Sequence, residues 1–340
     1  MNQSVEVESA VETVRNRYLF FAEKEVRGRC PIYEELALAI AGDDALVSLI
    51  ATFPRDKRQP NLTLASLRKL LGHVPDFAEA RAVMLADSDR LTRVVFSHGT
   101  QTNEPGRCAT LLPLLCRLPQ PLALLEIGAS AGLCLIPDLY NYDYGSVALT
   151  GAPDHPDFAL SCAAGPTVPL PAALPQVAWR AGLDTNPIDL HDPGQADWLE
   201  TLIWPSETDR LKRLRSAMAL AAAQDLRIER GDLHTDDLDR LIAQAPPDAT
   251  LVVYHSAVLS YTLDQSRRDA FAQRMAGLRG HWISNESPVL FSEFGSDLLD
   301  RRPGSDFLVA QDGSPIAWAD PHGARIAWID DPAEPLTTPA

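Results

Sequence analysis

Residues 122–133, Leu122-Ala-Leu-Leu-Glu-Ile-Gly-Ala-Ser-Ala-Gly-Leu133, decide the fold that the sequence predicts. The aliphatic run that opens this stretch is typical of a strand covered on both faces of a sheet. The strand ends in a carboxylate, Glu126, and the chain then turns on Gly128 and Gly132 before an apolar segment that predicts a helix. Glycine lets the backbone turn tightly and approach a ligand closely. The stretch therefore predicts the first strand, loop and helix of a nucleotide-type site.

The residues before this strand have helical spacing. From Val5 to about Leu118 apolar side chains recur every three or four residues, and prolines punctuate these runs where helices should begin or end. The last of these helices is predicted to begin near Asn103, because asparagine is a good capping residue. Residues 1–118 are therefore predicted to form an all-helical N-terminal cap.

After this strand, short apolar runs alternate with helical ones, which is typical of a parallel sheet with crossover helices. An oversized insertion at 142–175 predicts a hairpin, and three short apolar runs near the C-terminus predict antiparallel strands at the sheet edge. Residues 119–330 are thus predicted to form an α/β domain with a mostly parallel sheet, followed by a tail at 331–340. The predicted strands are Leu122–Ile127, Val177–Leu183, Leu226–Glu229, Thr250–His255 and His281–Asn285; the hairpin pairs Ser146–Thr150 with Phe158–Cys162; the edge strands are Phe307–Ala310, Pro315–Trp318 and Ala324–Trp328.

Composition narrows the class of partner. The chain has 340 residues, is 46% hydrophobic and carries a net charge of −16, which argues against a general nucleic-acid surface. Its five cysteines are odd in number and form no CxxC pair, which favours reduced thiols over disulfides or a metal site. No leader-like N-terminus and no run of ~20 apolar residues is evident, so we expect a cytoplasmic protein that acts on a small molecule and not at a membrane.

The glycine loop permits three interpretations. The letters Gly128-Ala-Ser130-Ala-Gly132 spell the G-x-S-x-G of a serine hydrolase, for which His255, His281 or His322 could serve as the base. This interpretation is disfavoured because that fold requires several strands before the loop. A dinucleotide loop, G-x-G-x-x-G, is also disfavoured, since Ser130 and Leu133 occupy its second and third glycine positions.

The third interpretation is a resemblance to motif I of class I S-adenosylmethionine (SAM)-dependent methyltransferases, in which an apolar strand, an acid and a Gly-x-(Gly/Ser/Ala)-x-Gly loop bind the cofactor. The resemblance implies that Glu126, Gly128, Ser130 and Gly132 contact SAM. A carboxylate at Glu126 also suits a ligand that carries an ammonium and a sulfonium, because opposite charges attract.

Acids at later strand ends strengthen the same interpretation, because ligands of doubly wound sheets bind outside the carboxyl ends of the strands. The resemblance implies that Asp184, followed by Asn186, binds the ribose, and that Asp232, with Leu233 beside it, faces the adenine. Asp184 lies 58 residues after Glu126 instead of ~20, so the insertion must be looped out. If it is not, Asp143 is the rival acid. Helix capping is the alternative for Asp184 and Asp232.

Candidate catalytic residues end the fourth and fifth strands. His255 is the best-placed base for an acceptor that must lose a proton, and Glu286 could point into the same pocket. Their alternatives are a packing histidine and a loop acid. Before the sheet, the polar segment Gln101, Thr102, Asn103 and Arg107 is predicted to bind the carboxylate of the cofactor at a helix N-terminus, or else to form a capping box.

Several segments together resemble an uncharacterised, largely actinobacterial family related to SAM methyltransferases: Gln101-Thr-Asn-Glu, Leu125-Glu-Ile-Gly-Ala-Ser-Ala-Gly-Leu, Tyr140-Asn-Tyr-Asp-Tyr-Gly, Asp184-Thr-Asn-Pro-Ile-Asp and Trp204-Pro. This resemblance implies a SAM-dependent methyltransferase, with a Rossmann-like sheet at residues 119–330 behind the helical N-terminal region. The fourth strand lacks the Asn/Asp-Pro-Pro-Tyr signature of base methylation, which leaves a small-molecule acceptor as the favoured class. The alternatives are a SAM-fold binding protein without catalysis and the serine hydrolase.

Overall fold

The computed structural model describes residues 2–101, 103–292 and 296–330, with backbone alone for residues 2–8, 296 and 297. The chain divides into two compact units. A helical unit comprises Met1–Thr102 and Pro193–Lys212, and a sheet unit comprises Asn103–Asp192 and Arg213–Ala340. None of the helices in the described residues is long and apolar enough to cross a membrane.

The helical unit confirms the predicted helical character of the N-terminal region. Three of its helices begin at prolines, where the missing N–H costs nothing, and Asp43 and Asp76 cap two others with side-chain carboxylates. Its helices are α1 (Asn2–Phe20), continued by a π-helical turn at Phe21–Val26, α2 (Pro31–Gly42), α3 (Asp44–Ala51), α4 (Pro60–Leu71), α5 (Phe77–Ala86), α6 (Ser88–Ser97) and α8 (Pro193–Thr201).

Residues 193–212 join the helical unit although they are distant from it in sequence. Trp198 and Leu202 are buried in its hydrophobic core, the indole N–H of Trp198 donates to the carbonyl oxygen of Gly99 at 2.9 Å, and Arg68 donates to that of Ile203 at 2.8 Å. The sequence predicts one boundary at 118/119. The structure instead divides at 102/103, and α7 (Arg107–Leu115), whose nine residues are all buried, belongs to the sheet unit.

The sheet unit contains a nine-stranded sheet with the order β5-β12-β11-β10-β9-β8-β1-β6-β7. Strands β7, β6, β1, β8 and β9 are mutually parallel. Strands β10, β11 and β12 continue the sheet antiparallel, as predicted, and β5 pairs with β12 in parallel. The bounds are β1 (Leu122–Ile127), β5 (Ala163–Ala164), β6 (Val177–Asp184), β7 (Ile228–Arg230), β8 (Thr250–Ser256), β9 (His281–Glu286), β10 (Phe307–Gln311), β11 (Ser314–Ala319) and β12 (Arg325–Trp328).

The five parallel strands follow chain order 3-2-1-4-5 when they are numbered among themselves. The chain moves from β1 outward to β6 and β7 and then returns to the other side of β1 as β8. The crevice beyond β1 and β8 is therefore a topological switch point, the place where open α/β sheets bind ligands. All six residues of β1 are buried, which agrees with its continuous aliphatic run. The α/β class and the mostly parallel sheet are confirmed.

The two faces of this sheet are covered by different elements. The α11 face carries Leu125, Val253 and their neighbours, which pack against α10 (Asp237–Ile242) and α11 (Gln265–Ala276). The opposite face, here called the α7 face, carries Glu126 and Tyr254, which are register partners. The loop after β1 crosses this face, because the Tyr254 hydroxyl donates to the carbonyl oxygen of Cys134 at 2.8 Å.

The predicted helix after the glycine turn is wrong. Residues 128–136 form turns, and one short 3-10 turn follows at Pro137–Leu139. The positive φ of Gly132 and the proline at 137 leave only four residues between them, which is too few for a helix. The unit's remaining helices are α9 (Thr208–Ala222), which begins in the helical unit and crosses the boundary at 212/213, and α12 (Ser296–Asp300).

The insertion forms a small separate sheet, and the predicted pairing within it is wrong. Strand β2 (Asn141–Asp143) lies between β3 (Ala148–Leu149) and β4 (Ala159–Ser161), so the two predicted hairpin strands do not pair with each other. The buried side chain of Asn141 explains this order. Its amide donates to the carbonyl oxygens of Ala152, His155 and Phe158 and its Oδ1 accepts from two further N–H groups, which fixes the intervening loop beside β2.

Candidate active site

The candidate site lies at the carboxyl edge of the parallel strands, within the sheet unit. Parallel strands end at the same edge, so residues distant in sequence are brought together there. Glu126 is the penultimate residue of β1, Asp184 ends β6, and Glu286 ends β9. Asp232 follows β7 by two residues. The structure therefore gathers the predicted strand-end acids along one edge.

The glycine turn is packed against the chain's own side chains. Gly128, Ser130 and Gly132 all have positive φ, at 72°, 49° and 74°. A Cβ on Gly128 would overlap the Val258 side chain, and one on Gly132 would lie 2.8 Å from a methyl carbon of Leu226. The sequence predicts close approach of a ligand to these glycines. In the structure the space beside them is filled by protein atoms, so both glycines permit close internal packing.

Asn103 holds this turn and does not cap a helix. Its Nδ2 donates to the Ser130 hydroxyl at 2.9 Å, and its Oδ1 accepts from the backbone N–H of Ala131 at 3.1 Å. Helix α7 begins four residues later, at Arg107, which overturns the predicted helix start and capping box at Asn103. The Asn103 side chain thus links the segment before α7 to the turn, across 27 and 28 residues of sequence.

Asp184 orients the same turn from the neighbouring strand. One carboxylate oxygen accepts from the backbone N–H of Ser130 at 2.8 Å, and the other accepts from that of Asn186 at 2.7 Å. The side chain is half-buried, and Asn186 is exposed. The rival acid, Asp143, lies in the small sheet, where it is exposed and accepts from the N–H of Gly145. The insertion is thus looped out, and Asp184 ends the strand next to β1.

The third strand contributes Asp232 and Leu233. Asp232 Oδ1 accepts from the backbone N–H of His234 at 2.9 Å, and its other oxygen lies 3.6 Å from the guanidinium of Arg267. The Leu233 side chain is buried in the hydrophobic core on the α11 face. Its side chain therefore contributes to packing, and any contact with a ligand would have to come from its backbone.

Glu126 is the most unusual residue at this edge. Only 6% of it is exposed, and its Oε2 has no hydrogen-bond partner among the described residues. Burial raises the pKa of this carboxyl well above its ordinary value, nearby Cys134 and Asp184 raise it further, and Arg107 opposes the shift. Leaving a buried acceptor unsatisfied costs about 1–3 kcal/mol, so this carboxyl is available to a ligand that can donate a hydrogen bond.

A second unpartnered acceptor was missed by the sequence reasoning. Asn285 is completely buried, its Nδ2 donates to the Ser256 hydroxyl at 3.1 Å, and its Oδ1 has no partner among the described residues. Strand alternation could have identified it. Because Glu286 was expected to end the fifth strand, the residue before it had to face the opposite side of the sheet.

Arg107 is buried above this edge and is bound to backbone carbonyls. Its Nε donates to the oxygen of Pro321 at 2.9 Å, and a terminal nitrogen donates to that of Ser256 at 3.1 Å. This leaves less of the guanidinium for the predicted cofactor carboxylate. Of the other residues predicted for that role, Gln101 belongs to the helical unit, and Thr102 lies outside the residues that the structure describes.

His255 lies in a closed network on the α11 face. Its Nε2 accepts from the indole N–H of Trp282 at 3.0 Å, so Nδ1 carries the ring proton and donates to Glu286 Oε1 at 2.8 Å. The side chain has no exposed surface. Both ring nitrogens are therefore engaged, which argues against the predicted role of His255 as a general base and favours the alternative of a packing residue.

Glu286 anchors the loop that follows β8. The same oxygen that binds His255 also accepts from the backbone N–H groups of Val258 and Leu259, at 2.7 and 3.2 Å. Val258 is the residue that packs on Gly128. Glu286 thus positions the glycine turn through this loop. It is buried, so it is not the exposed loop acid of the alternative, and its hydrogen bonds to the loop argue against the predicted contact with an acceptor.

The geometry does not favour the serine hydrolase. The Ser130 hydroxyl accepts from Asn103. Among the three candidate bases, His255 is enclosed, and His281 begins β9 at the opposite edge of the sheet. His322 faces Glu104, a buried acid that the sequence reasoning also missed, with its Nδ1 at 3.6 Å from Glu104 Oε2. Glu104 is bound as well by Arg213 at 2.9 Å.

No group of three or more His, Cys, Asp or Glu side chains in the described part of the chain is arranged to hold a metal ion. The five cysteines are free thiols. The groups that could hold a ligand at this edge are therefore the carboxylates, amides and hydroxyls described above.

Comparison with known proteins identifies a family without an assigned activity. The model of the family described as "Uncharacterized protein conserved in bacteria (DUF2332)" matches residues 15–328. The chain belongs to this family. The match spans most of the helical unit and almost all of the described sheet unit, so both are parts of the family fold. No curated protein matches the chain.

Proposed function

We propose that the sheet unit binds SAM at the carboxyl edge of β1, β6 and β7, and that the protein transfers the methyl group to a small molecule. The observation that carries this proposal is the position of the glycine turn. It follows the central strand of a 3-2-1-4-5 order, at the switch point where such sheets bind nucleotide-like ligands. A Rossmann-like methyltransferase fold is consistent with this order and forms part of the proposal.

The polar groups at this edge fit such a cofactor in part. The buried, unpartnered carboxyl of Glu126 suits a cationic group. Asp184 is half-buried and retains lone pairs beside its two backbone hydrogen bonds, which would serve the ribose hydroxyls. Asp232 ends the next segment along the edge and would lie towards the adenine. The glycine turn itself would contribute shape only, because its inner side is filled by Val258 and Leu226.

SAM supplies an electrophilic methyl carbon when it is bound, so the work left to the protein is alignment and exclusion of water. In this chain Asn103 and Asp184 would keep the turn rigid, and Glu286 would hold Val258 against it. A proton leaving the acceptor would have to go to a group other than His255, whose nitrogens are both engaged.

Calorimetry with SAM and S-adenosylhomocysteine tests the proposal. We expect binding that weakens about tenfold in Glu126→Gln, because loss of one charge-assisted hydrogen bond has an effect of that order. The matched control is Asp143→Asn, which changes an exposed acid in the small sheet and should bind as the unmodified chain does. Absence of binding at millimolar concentrations of both ligands would rule out the proposal.

The enclosure of His255 favours a second candidate, a protein that binds SAM without catalysis. The two candidates differ in turnover. Incubation with SAM and a low-molecular-weight bacterial extract should produce S-adenosylhomocysteine if the chain is a methyltransferase. Tight binding of SAM without formation of that product would favour the binding protein.

A further inference from the structure

A cavity of about 270 Å³ lies between the glycine turn and the C-terminal end of α9. We call it the turn cavity. Its lining belongs entirely to the sheet unit and includes Ala131 of the turn, residues 187–191 after β6, the last two residues of α9, Ala221 and Ala222, and Ile228 of β7. Among the residues that the structure describes, none of the strand-end acids of the candidate site lines it. The turn cavity is therefore distinct from that site.

Hydrogen bonds of the backbone hold the walls of the turn cavity in place. Residues 128–136 form turns where the sequence predicts a crossover helix. The segment after β6 lies against this turn, because the N–H of Ile188 donates to the carbonyl oxygen of Ser130 at 3.0 Å. On another wall, the N–H of Gly182 donates to the carbonyl oxygen of Arg227 at 2.8 Å, which fixes the start of β7 beside β6. The cavity is thus preformed, as most small-molecule sites are.

The size and polarity of the turn cavity restrict its occupant. Eight of the eleven residues that line it are apolar, and the other three, Asp189, His191 and Gln224, are exposed and so lie at its opening to solvent. Apolar walls with a few polar groups are the usual pattern of a ligand pocket. An apolar cavity of roughly 150 Å³ binds benzene. The turn cavity therefore has room for an apolar group about the size of a fused bicyclic ring.

The opening of the turn cavity has negative charge. Asp189 contributes a carboxylate, one oxygen of which accepts from the backbone N–H of His191 at 2.8 Å. Helix α9 ends at Ala222 without a basic residue in its last turn, so its own side chains do not neutralise the partial negative charge of its C-terminus. The described lining contains no lysine or arginine, and the neighbouring Arg227 is paired with Glu229. The cavity thus suits a cation and disfavours a carboxylate or a phosphate.

We propose that the turn cavity binds a small organic cation, with an apolar bicyclic body between its walls and a protonated amino group at its opening, beside Asp189. This second site goes beyond the proposed function and does not depend on it. Since Ala131 belongs to the wall, the occupant would contact the glycine turn directly.

Three indole probes of similar size test the charge preference. Tryptamine carries a protonated amine, tryptophol carries a neutral hydroxyl at the same position, and indole-3-acetate carries a carboxylate. Binding of each to the full chain is measured by titration with ligand-observed NMR. Tryptamine should bind most tightly and indole-3-acetate most weakly, because the opening attracts a cation and repels an anion.

Four variants test the location. Ala222→Phe fills the cavity, and Ala219→Phe places the same side chain at an exposed position of α9 as its control. Asp189→Asn removes the charge at the opening and keeps an oxygen for the backbone N–H. Asp225→Asn, an exposed acid outside the lining, is its control. Circular dichroism checks the fold of each variant, and Leu190→Trp fills the cavity from the segment after β6 if Ala222→Phe does not fold.

We expect tryptamine to bind at least about tenfold more weakly to Ala222→Phe, because its ring no longer fits. In Asp189→Asn the loss should be about threefold, since ion pairs at exposed positions contribute little. Both controls should bind as the unmodified chain does. Tryptophol or indole-3-acetate binding as tightly as tryptamine, tryptamine binding indifferent to a filled cavity, or no binding of any probe at millimolar concentration would overturn the proposal. Weakening in Glu126→Gln but not in Asp189→Asn would place the amine at the candidate site and overturn it as well.

Discussion

Glu126 and Glu286 occupy comparable positions on opposite faces of the same sheet edge, yet their surroundings differ. Both are buried at the carboxyl ends of parallel strands. Glu286 Oε1 accepts three hydrogen bonds, from His255, Val258 and Leu259, although its second oxygen has no partner. For Glu126, Oε2 has no partner among the described residues, and the charge of Arg107 opposes the effect of burial on the pKa of this carboxyl. Burial alone therefore does not identify a functional acid.

The difference separates positioning from binding. A carboxylate that accepts three hydrogen bonds holds the three donors in place. These hydrogen bonds already stabilise the folded chain. A carboxyl that is buried without hydrogen-bond donors destabilises the folded protein until a ligand supplies those donors. On this basis we propose that the α11 face supports the candidate site and that the α7 face is the one that would bind a ligand. Four substitutions test this assignment.

His255→Ala is expected to have the largest effect, a loss of roughly 3–5 kcal/mol in the free energy of unfolding. The change opens a cavity and leaves both Glu286 and the Trp282 indole without their partner in the interior. Urea unfolding measures the loss. The control, His281→Ala, removes a partly exposed contact with Asp312 and should cost less than ~1 kcal/mol. Equal effects of the two changes would contradict the closed network.

Gly128→Ala is expected to cost about 2–4 kcal/mol, because the positive φ disfavours alanine and the new Cβ overlaps Val258. Gly145→Ala is a matched control with a φ of 77° and no neighbouring atom within 4 Å, so it should lose only ~1 kcal/mol. The difference between the two variants in thermal unfolding measures the part of the destabilisation that comes from the overlap with Val258. A similar loss in both would mean that Val258 moves freely away from the turn.

Glu286→Gln is expected to destabilise the protein by about 1–3 kcal/mol, since an amide offers one weaker acceptor to three donors. If Glu286 positions the loop after β8, its substitution should affect this loop more than the rest of the sheet. Hydrogen exchange at the backbone N–H groups of Val258 and Leu259 should accelerate more than exchange within β8. Uniform acceleration across the sheet would assign Glu286 to general stability.

Glu126→Gln is expected to have the smallest effect and the opposite sign, a gain of roughly 1 kcal/mol at pH 7. Burial raises the pKa of this carboxyl in the folded chain, Cys134 and Asp184 add to the shift, and Arg107 opposes it. The folded state thus binds a proton more tightly than the unfolded state, and its stability falls as the pH rises above ~4.3, the usual pKa of glutamate. The gain should therefore shrink towards zero near pH 4. A gain that is independent of pH would contradict this origin.

The sequence predicts those helices and strands that depend on the spacing of apolar residues within a short segment. The bounds of β1 agree because a continuous aliphatic run between prolines and glycines admits little else. The helix predicted after the glycine turn does not form, because Gly132 and Pro137 interrupt the apolar periodicity on which that prediction rests. The hydrogen-bond partners of Glu286 could not be predicted, since they depend on the register of β8 against β9 and on the loop after β8, whose backbone donates to this carboxylate.

The excursion of residues 193–212 into the helical unit has a consequence for synthesis of the chain. Neither unit is a continuous segment, because the polypeptide crosses between them at 102/103, 192/193 and 212/213. A ribosome that has made the first hundred residues has not yet supplied Trp198 and Leu202, which complete the helical core. Domains generally fold in order of synthesis. Here the full set of core residues of the helical unit exists only after residues 103–192 of the sheet unit have been synthesised, so synthesis of the two units is interleaved.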